Sequence, residues 1–194
     1  MPAPRILLAS TSPYRRALLE RLHIGFEAVR PDCDETAGPG ETPSTLVTRL
    51  ARAKAASVAA TTTDGIVIGS DQVAALDERI LTKPGEHAVA REQLRAASGR
   101  RVTFHTGLAL IDTRDGREWC ERVEYRIDFR QLEEAEIERY LATEQPYDCA
   151  GSIKSEGFAI VLFAAMHGED PTALIGLPLI RLRALLAECG IALP

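Results

Sequence analysis

Residues 6–22 read Ile6-Leu7-Leu8-Ala9-Ser10-Thr11-Ser12-Pro13-Tyr14-Arg15-Arg16-Ala17-Leu18-Leu19-Glu20-Arg21-Leu22. The apolar run that starts near Arg5 and ends at Ala9 predicts a short buried strand. The amphipathic stretch from Ser12 to about His23 predicts a helix. Ser12 can cap that helix and Pro13 suits its first position. A strand that feeds a helix through hydroxyl residues is a place to hold a phosphate. Arg15 and Arg16 in the first turn sharpen the reading. The N-terminal end of a helix dipole is already positive, so cations there make electrostatic sense when an anion sits among them.

Outward from this stretch, strand-like and helix-like segments alternate. Phe26–Val29 predicts a second strand, and an acidic loop runs from Pro31 to Pro43. Thr42-Pro43 opens a helix with Leu46, Val47, Leu50, Ala53 and Val58 at helical spacing. Ile66-Val67-Ile68 predicts a buried strand that ends in Gly69-Ser70-Asp71-Gln72, and a polar loop then leads to Leu81-Thr82-Lys83-Pro84. The helix Glu86–Ser98 is closed by Gly99. Val102–Ile111 and Trp119–Phe129 flank Thr113-Arg114-Asp115-Gly116 as a long hairpin. Glu133–Thr143 predicts a helix, Phe158–Phe163 an apolar strand, and Leu177–Cys189 a last helix stopped by Gly190. A hairpin set inside a βαβ-like series makes the fold class α/β, with a mixed twisted sheet flanked by helices. With 194 residues and no convincing linker, the whole chain, 1–194, reads as one domain.

Composition narrows the function. A net charge of −5 without a basic run argues against general nucleic-acid binding, but leaves room for a nucleotide in a local basic pocket. Aromatics at 5% argue against a base-stacking platform for single strands. No apolar run approaches membrane-spanning length, and the first residues lack a leader's apolar core. Cys33, Cys120, Cys149 and Cys189 are scattered and form no Cys-x-x-Cys pair, so they read as free thiols in a reducing cytoplasm. His23, His87, His105 and His167 form no ligand pair.

Asp71 is the leading catalytic candidate, because a carboxylate at the end of a buried strand can bind a divalent cation or take a proton from water. An Asp that caps a turn would look the same. Lys54, Lys83 and Lys154 are candidates for triphosphate contacts, although Lys54 also fits an ordinary charged helix surface. Asp34 or Glu35 could join Asp71 around a magnesium ion; a solvated loop is the plainer reading of Asp32, Asp34, Glu35 and Glu41. Cys149–Gly157 combines small residues with Lys154 and Glu156, as a ligand loop or a polar turn would. There is no Walker loop, dinucleotide glycine motif or nucleophile elbow.

Taken together, Ser10-x-Ser12-Pro13-x-Arg15-x-x-Leu18-Leu19, Asp34-Glu35, Arg49–Ala55, Gly69-Ser70-Asp71, Lys83-Pro84, Ala150-Gly151 and Gly176–Leu179 resemble the signature of the Maf family of nucleoside triphosphate pyrophosphatases. The resemblance implies a fold shared with inosine-triphosphate pyrophosphatases, with two lobes around a cleft. It implies hydrolysis between the α and β phosphates, a divalent metal (magnesium or manganese), a homodimer and a cytoplasmic setting. By the same resemblance Asp71 accepts the proton, Glu35 is a metal or water partner beside Asp71, and Ser10, Arg15, Lys54 and Lys83 engage phosphates. Tyr14, Gln72 and Glu156 stand where members acting on dTTP and UTP usually have Arg, Thr and Gln. Aromatic, Gln and Glu resemble the branch that hydrolyses 7-methyl-GTP. The physics agrees: a methylated guanine is cationic, an aromatic face attracts it by about 0.5–2 kcal/mol, and a carboxylate can offset its charge. Two positions depart from the pattern: Thr82, where many members have Gly, and Tyr14, where close relatives prefer Trp. The alternatives are a dTTP, UTP or other modified-nucleotide pyrophosphatase, or a nucleotide-binding regulator of cell division.

Overall fold

The computed structural model describes residues 4–194; the reading of the first residues as leader-free falls partly on residues 1–3, outside the described residues. The elements follow the expected alternation. They are β1 (Arg5–Ala9), α1 (Pro13–Glu20), β2 (Glu27–Val29), α2 (Pro43–Ala59), β3 (Gly65–Leu76), β4 (Arg79–Leu81), α3 (His87–Ala97), β5 (Arg101–Asp112), β6 (Arg117–Phe129), α4 (Glu134–Glu144), β7 (Phe163–His167) and α5 (Leu179–Glu188). The strands form one mixed 7-stranded sheet in the order β2-β1-β3-β5-β6-β7, with β4 pairing to β3.

β1, β2 and β3 are parallel and β1 lies in the middle. The chain therefore leaves β1 to one side and returns to β3 on the other. Leu18 and Leu19 of α1 pack with Ile6, Leu8, Ile66, Ile68 and the leucines of α5 on one face. Ala51, Ala55 and Val58 of α2 pack with Leu7, Ala9 and Val67 on the other. A carboxyl end flanked by helices on opposite faces is where open α/β sheets bind ligands. A third core joins the far ends of β3, β5 and β6 to α3 and α4.

The long strand β3 departs from expectation. Asp71 was expected at a strand end, yet pairing to β5 continues without a break from Ile66 to Ala75. A notch on the opposite side serves instead. β1 pairs with β3 only as far as Ile68, and β4 only from Ala74 onward. Residues 69–73 thus have a ladder partner on one edge only. The end of β1 delivers Ser10 to this notch, and the end of β4 delivers Lys83.

Three other expectations change. The run Phe158–Phe163 is not a strand: Phe158–Leu162 forms a 3₁₀ turn and β7 starts at Phe163. Its backbone is held by side chains, with Glu144 accepting from Phe158 N (2.6 Å) and Arg130 Nε donating to Val161 O (2.9 Å). A short apolar run cannot announce such partners. β4, read as polar loop, pairs back on β3 through a two-residue turn in which Asp77 has φ +54°. α1 stops at Glu20 and leads to His23 at φ +53°.

Two glycines set the distance between α2 and the sheet. A Cβ on Gly69 would lie 2.2 Å from Ala51 O, and one on Gly107 2.1 Å from Val47 O. Only hydrogen allows so close an approach. Gly107→Ala should push α2 off the sheet and destabilise the fold by about 3 kcal/mol. Urea unfolding monitored by circular dichroism would measure the loss; an unchanged midpoint would mean that α2 is not held by this contact.

Candidate active site

The close approach of α2 carries Lys54 to the sheet. Asp71 stands opposite Gly107 in the ladder and two residues after Gly69, so its side chain shares their face, the face of α2. Lys54 Nζ donates to Asp71 Oδ1 and to Glu35 Oε2, each at 2.7 Å. Lys54 is 5% exposed and Asp71 7%, whereas the Glu35 side chain is 58% exposed. Asp71 Oδ2 has no protein partner among the described residues, yet it is not sealed from solvent.

On the other face of β3, Gln72 points toward the turn Pro171–Leu174. Its amide nitrogen lies 2.6 Å from Ala173 O, 3.1 Å from Leu174 O and 3.1 Å from Thr106 Oγ1. Carbonyls only accept, so the NH₂ group must face them and the amide oxygen is left for the cavity that Gln72 lines. Ser70 lies within 2.8 Å of Gly107 O and 2.9 Å of Gly176 O and donates to one at a time. The Gly176 carbonyl also takes Arg15 Nε at 2.9 Å. Burial pushes the Arg15 guanidinium below its ordinary pKa, while the charges of Asp71 and Glu35 pull the other way.

Around the notch the cleft has two chambers. One, of about 670 Å³, is lined by Ser10, Arg15, Lys54 and Lys83, with Glu35 and Asp32 at its acidic side. The other is lined by Gln72, Ile153, Glu156, Leu174 and Ile175. Ser12, Tyr14, Arg15, Lys83 and Asp148 border both. Ser10 Oγ accepts from Ser12 N (3.1 Å), and Ser12 Oγ from Arg15 N (3.4 Å), which shapes the entry to α1. Lys83 makes no ion pair among the described residues.

The structure thus brings Ser10, Lys54 and Glu35 to one chamber and Gln72 and Glu156 to the other, with Tyr14, Arg15 and Lys83 lining both. Asp71 reaches the first chamber's wall from behind Lys54 rather than forming the wall itself. Two basic residues go elsewhere. Arg16 is exposed and pairs with Glu20 at 3.2 Å, so only Arg15 of the two faces the cleft. Lys154 pairs with Glu144 at 2.7 Å and lines neither chamber. That pair anchors the loop bearing Glu156 to α4. Asp34 folds back on Thr36 N (2.8 Å). Arg30 and Asp148 were missed. Arg30 carries no motif; Asp148 adjoins Cys149–Gly157 and could have been drawn in with it.

Glu35 and Asp71 are hard oxygen donors of the kind magnesium and manganese take. Among the described residues no group of three His, Cys, Asp or Glu surrounds one point. No described helix is long and apolar enough to cross a membrane.

The family description "Maf-like protein" matches residues 5–189. The chain belongs to the Maf family. It is 56% identical over 187 residues to a protein of Alkalilimnicola ehrlichii named "7-methyl-GTP pyrophosphatase", covering 96% of this chain and 94% of that one. It is 53% identical over 191 residues to a Pseudomonas syringae pv. tomato protein of the same name, covering 98% and 100%. Among solved structures it has a partial likeness to the Staphylococcus aureus Ham1 protein, with TM-score 0.46, 17% identity, and 66% of this chain and 72% of that chain covered.

The loop 30–42 that carries Glu35 is tied down by Glu41. That carboxylate meets Arg49 Nε at 2.7 Å and accepts from Gly38 N at 2.9 Å. The Arg49 hydrogen bond, first, and the Gly38 N–H hold it at about 2, below the ordinary 4.5. A carboxylate depressed in the fold adds stability above its unfolded pKa and loses it as pH falls toward the folded one. The stability gap between the natural chain and Glu41→Gln should therefore be constant above about pH 5 and close between about pH 4.5 and 2. Unfolding measured across that range checks it; a gap that persists at pH 2 would contradict the tie.

Proposed function

We propose that this chain hydrolyses 7-methyl-GTP between the α and β phosphates, yielding 7-methyl-GMP and pyrophosphate. The observation that carries the reading is one cleft in which a shared wall of Ser12, Tyr14, Arg15, Lys83 and Asp148 separates a chamber lined by Ser10, Lys54 and Glu35 from one with a carboxylate, Glu156, and an acceptor amide oxygen, Gln72. Two relatives above 50% identity named for this activity, over nearly the full chain, support it.

Arg15, Lys54 and Lys83 bind the triphosphate as fixed charges that neither form nor reorient during the reaction. Water sits at Asp71 Oδ2, the oxygen that Lys54 leaves free. Asp71 orients this water and takes its proton as the oxygen attacks the α phosphorus, and pyrophosphate leaves on the side of the lysines. Lys54, bonded to Asp71 Oδ1, holds the carboxylate in one rotamer. Glu35 and Asp71 would hold a divalent cation, and the chemistry it would supply is neutralisation of the polyphosphate charge. Ser10 and Ser12 shape the floor beneath the phosphates.

In the second chamber the Tyr14 ring faces the base, Glu156 offsets a positive charge on it, and the Gln72 oxygen accepts from a guanine N–H. Arg in place of Tyr14 would repel the same base. The reading brings a cytoplasmic location and a homodimer with it, on family resemblance alone.

A panel of triphosphates with magnesium, read by pyrophosphate release, tests this. 7-methyl-GTP should be favoured over GTP, dTTP and UTP. Asp71→Asn should lower kcat by about 10²–10⁴-fold with folding intact. Tyr14→Arg and Glu156→Gln should each narrow the preference for the methylated base. Preference for dTTP or UTP would refute the assignment of substrate, and an active Asp71→Asn would refute the assignment of the base.

A further inference from the structure

Asp148 borders both chambers and takes no part in the reaction as derived above. Its Oδ2 accepts from the Tyr14 hydroxyl at 3.2 Å, and its Oδ1 lies 3.5 Å from Cys149 Sγ. Both partners are neutral donors. Burial, first, and the neighbouring Cys149 and Asp148 hold the Tyr14 phenol above its ordinary range. Burial and the Asp148 charge push the Cys149 thiol up to about 12. Among the described residues no arginine, lysine or histidine pairs with Asp148. Its charge is thus held at the edge of the ring by two donors that cannot cancel it.

The position is built from the backbone. Gly85 N donates to Tyr147 O (3.0 Å) and Cys149 N to Pro146 O (3.2 Å), so the segment lies against the loop that bears Lys83. His87 Nδ1 meets the Tyr147 hydroxyl at 3.2 Å and ties the same segment to α3. Asp148 therefore stands beside Tyr14, in the same chamber lining as Glu156.

We propose that Asp148 is a specificity-determining residue: its carboxylate orients the Tyr14 ring and adds a second negative charge that favours a cationic base over a neutral one. The inference rests on the 7-methyl-GTP reading above. Glu156 alone would offset the charge from the loop side only. Asp148 acts from the ring side, close to where the sugar joins the phosphates, so a positive base is flanked by two carboxylates and a π face. A neutral guanine gains nothing from the second carboxylate, and the repulsion between that carboxylate and the triphosphate is common to both substrates. Discrimination thus comes from attraction to the positive base.

Asp148→Asn tests this, because the amide still accepts from the Tyr14 hydroxyl while the charge is gone. Tyr14→Phe is the companion variant, keeping the ring and the charge but not the bond. Both steady-state constants, kcat and KM, are measured with the methylated triphosphate and with GTP. In Asp148→Asn the ratio of kcat/KM between the two substrates should fall by about tenfold, mainly because the methylated substrate binds more weakly and its KM rises. Tyr14→Phe should lower the ratio less, and Asp148→Asn should still lower it in that background. If the natural chain shows no preference for 7-methyl-GTP, the substrate reading and this inference both fall. If it shows the preference and Asp148→Asn keeps it, only the inference falls. A raised magnesium requirement for both substrates with an unchanged ratio would also overturn it, making Asp148 a metal partner instead.

Discussion

Everything at this cleft depends on one ammonium shared by two carboxylates. Lys54 Nζ bridges Asp71 on the sheet and Glu35 on a loop, at equal distances. A buried charge without a partner is costly, and removal of one member of such a pair typically costs about 3–5 kcal/mol. Lys54 is therefore held in place by Asp71 as firmly as it holds Asp71. The trio carries one excess negative charge, which suits a cation brought in with an anionic ligand. It also joins three parts of the chain at one point: β3, α2 and the loop 30–42.

That meeting is possible only because of what surrounds it. The glycines at 69 and 107 strip the sheet bare beneath α2, so a lysine on the helix reaches the strand instead of solvent. The notch in the β3 edge does the rest. Adjacent strand residues point to opposite faces, so Asp71 goes to the α2 side and Gln72 to the side of the Pro171–Leu174 turn. A normal sheet would bury them in separate compartments. Here no neighbouring strand lies alongside residues 69–73 on one edge, and both faces open into the same cleft. Asp71 and Gln72, one residue apart in sequence, thus serve opposite faces of the same notch.

Much of this is legible in the sequence, and the exceptions have a common cause. Ser10–Arg15 announces its own strand, cap and helix through local propensity, and the hairpin around Gly116 does the same. Lys54 cannot be told from any lysine on a charged helix, because the glycines that draw it inward belong to other strands. Lys154 looks equally free until Glu144, ten residues earlier on α4, claims it. Phe158–Phe163 reads as a strand because apolar content is local, whereas Arg130 and Glu144, which fix its backbone in a 3₁₀ turn, are distant. Partners distant along the chain decide each of these cases, and neither hydrophobic period nor residue type encodes them.

The atoms left over by the fold describe the ligand. Arg15 spends its Nε on Gly176 O, and its remaining N–H groups find no protein acceptor among the described residues. Lys83 is unpaired among the described residues, Asp71 keeps Oδ2 and Glu35 keeps Oε1. Gln72 commits its donors to backbone carbonyls and retains its acceptor. On the phosphate side the free groups are thus cationic donors next to two carboxylate oxygens. In the second chamber, beyond the shared wall that holds Arg15 and Lys83, they are the Gln72 oxygen and the Glu156 carboxylate near an aromatic ring. A molecule that satisfies both must be anionic at one end and rich in donors, or positive, at the other. Because each group is anchored through its other atoms, little reorganisation is required when such a molecule arrives, and the electrostatic work is done by folding rather than by binding.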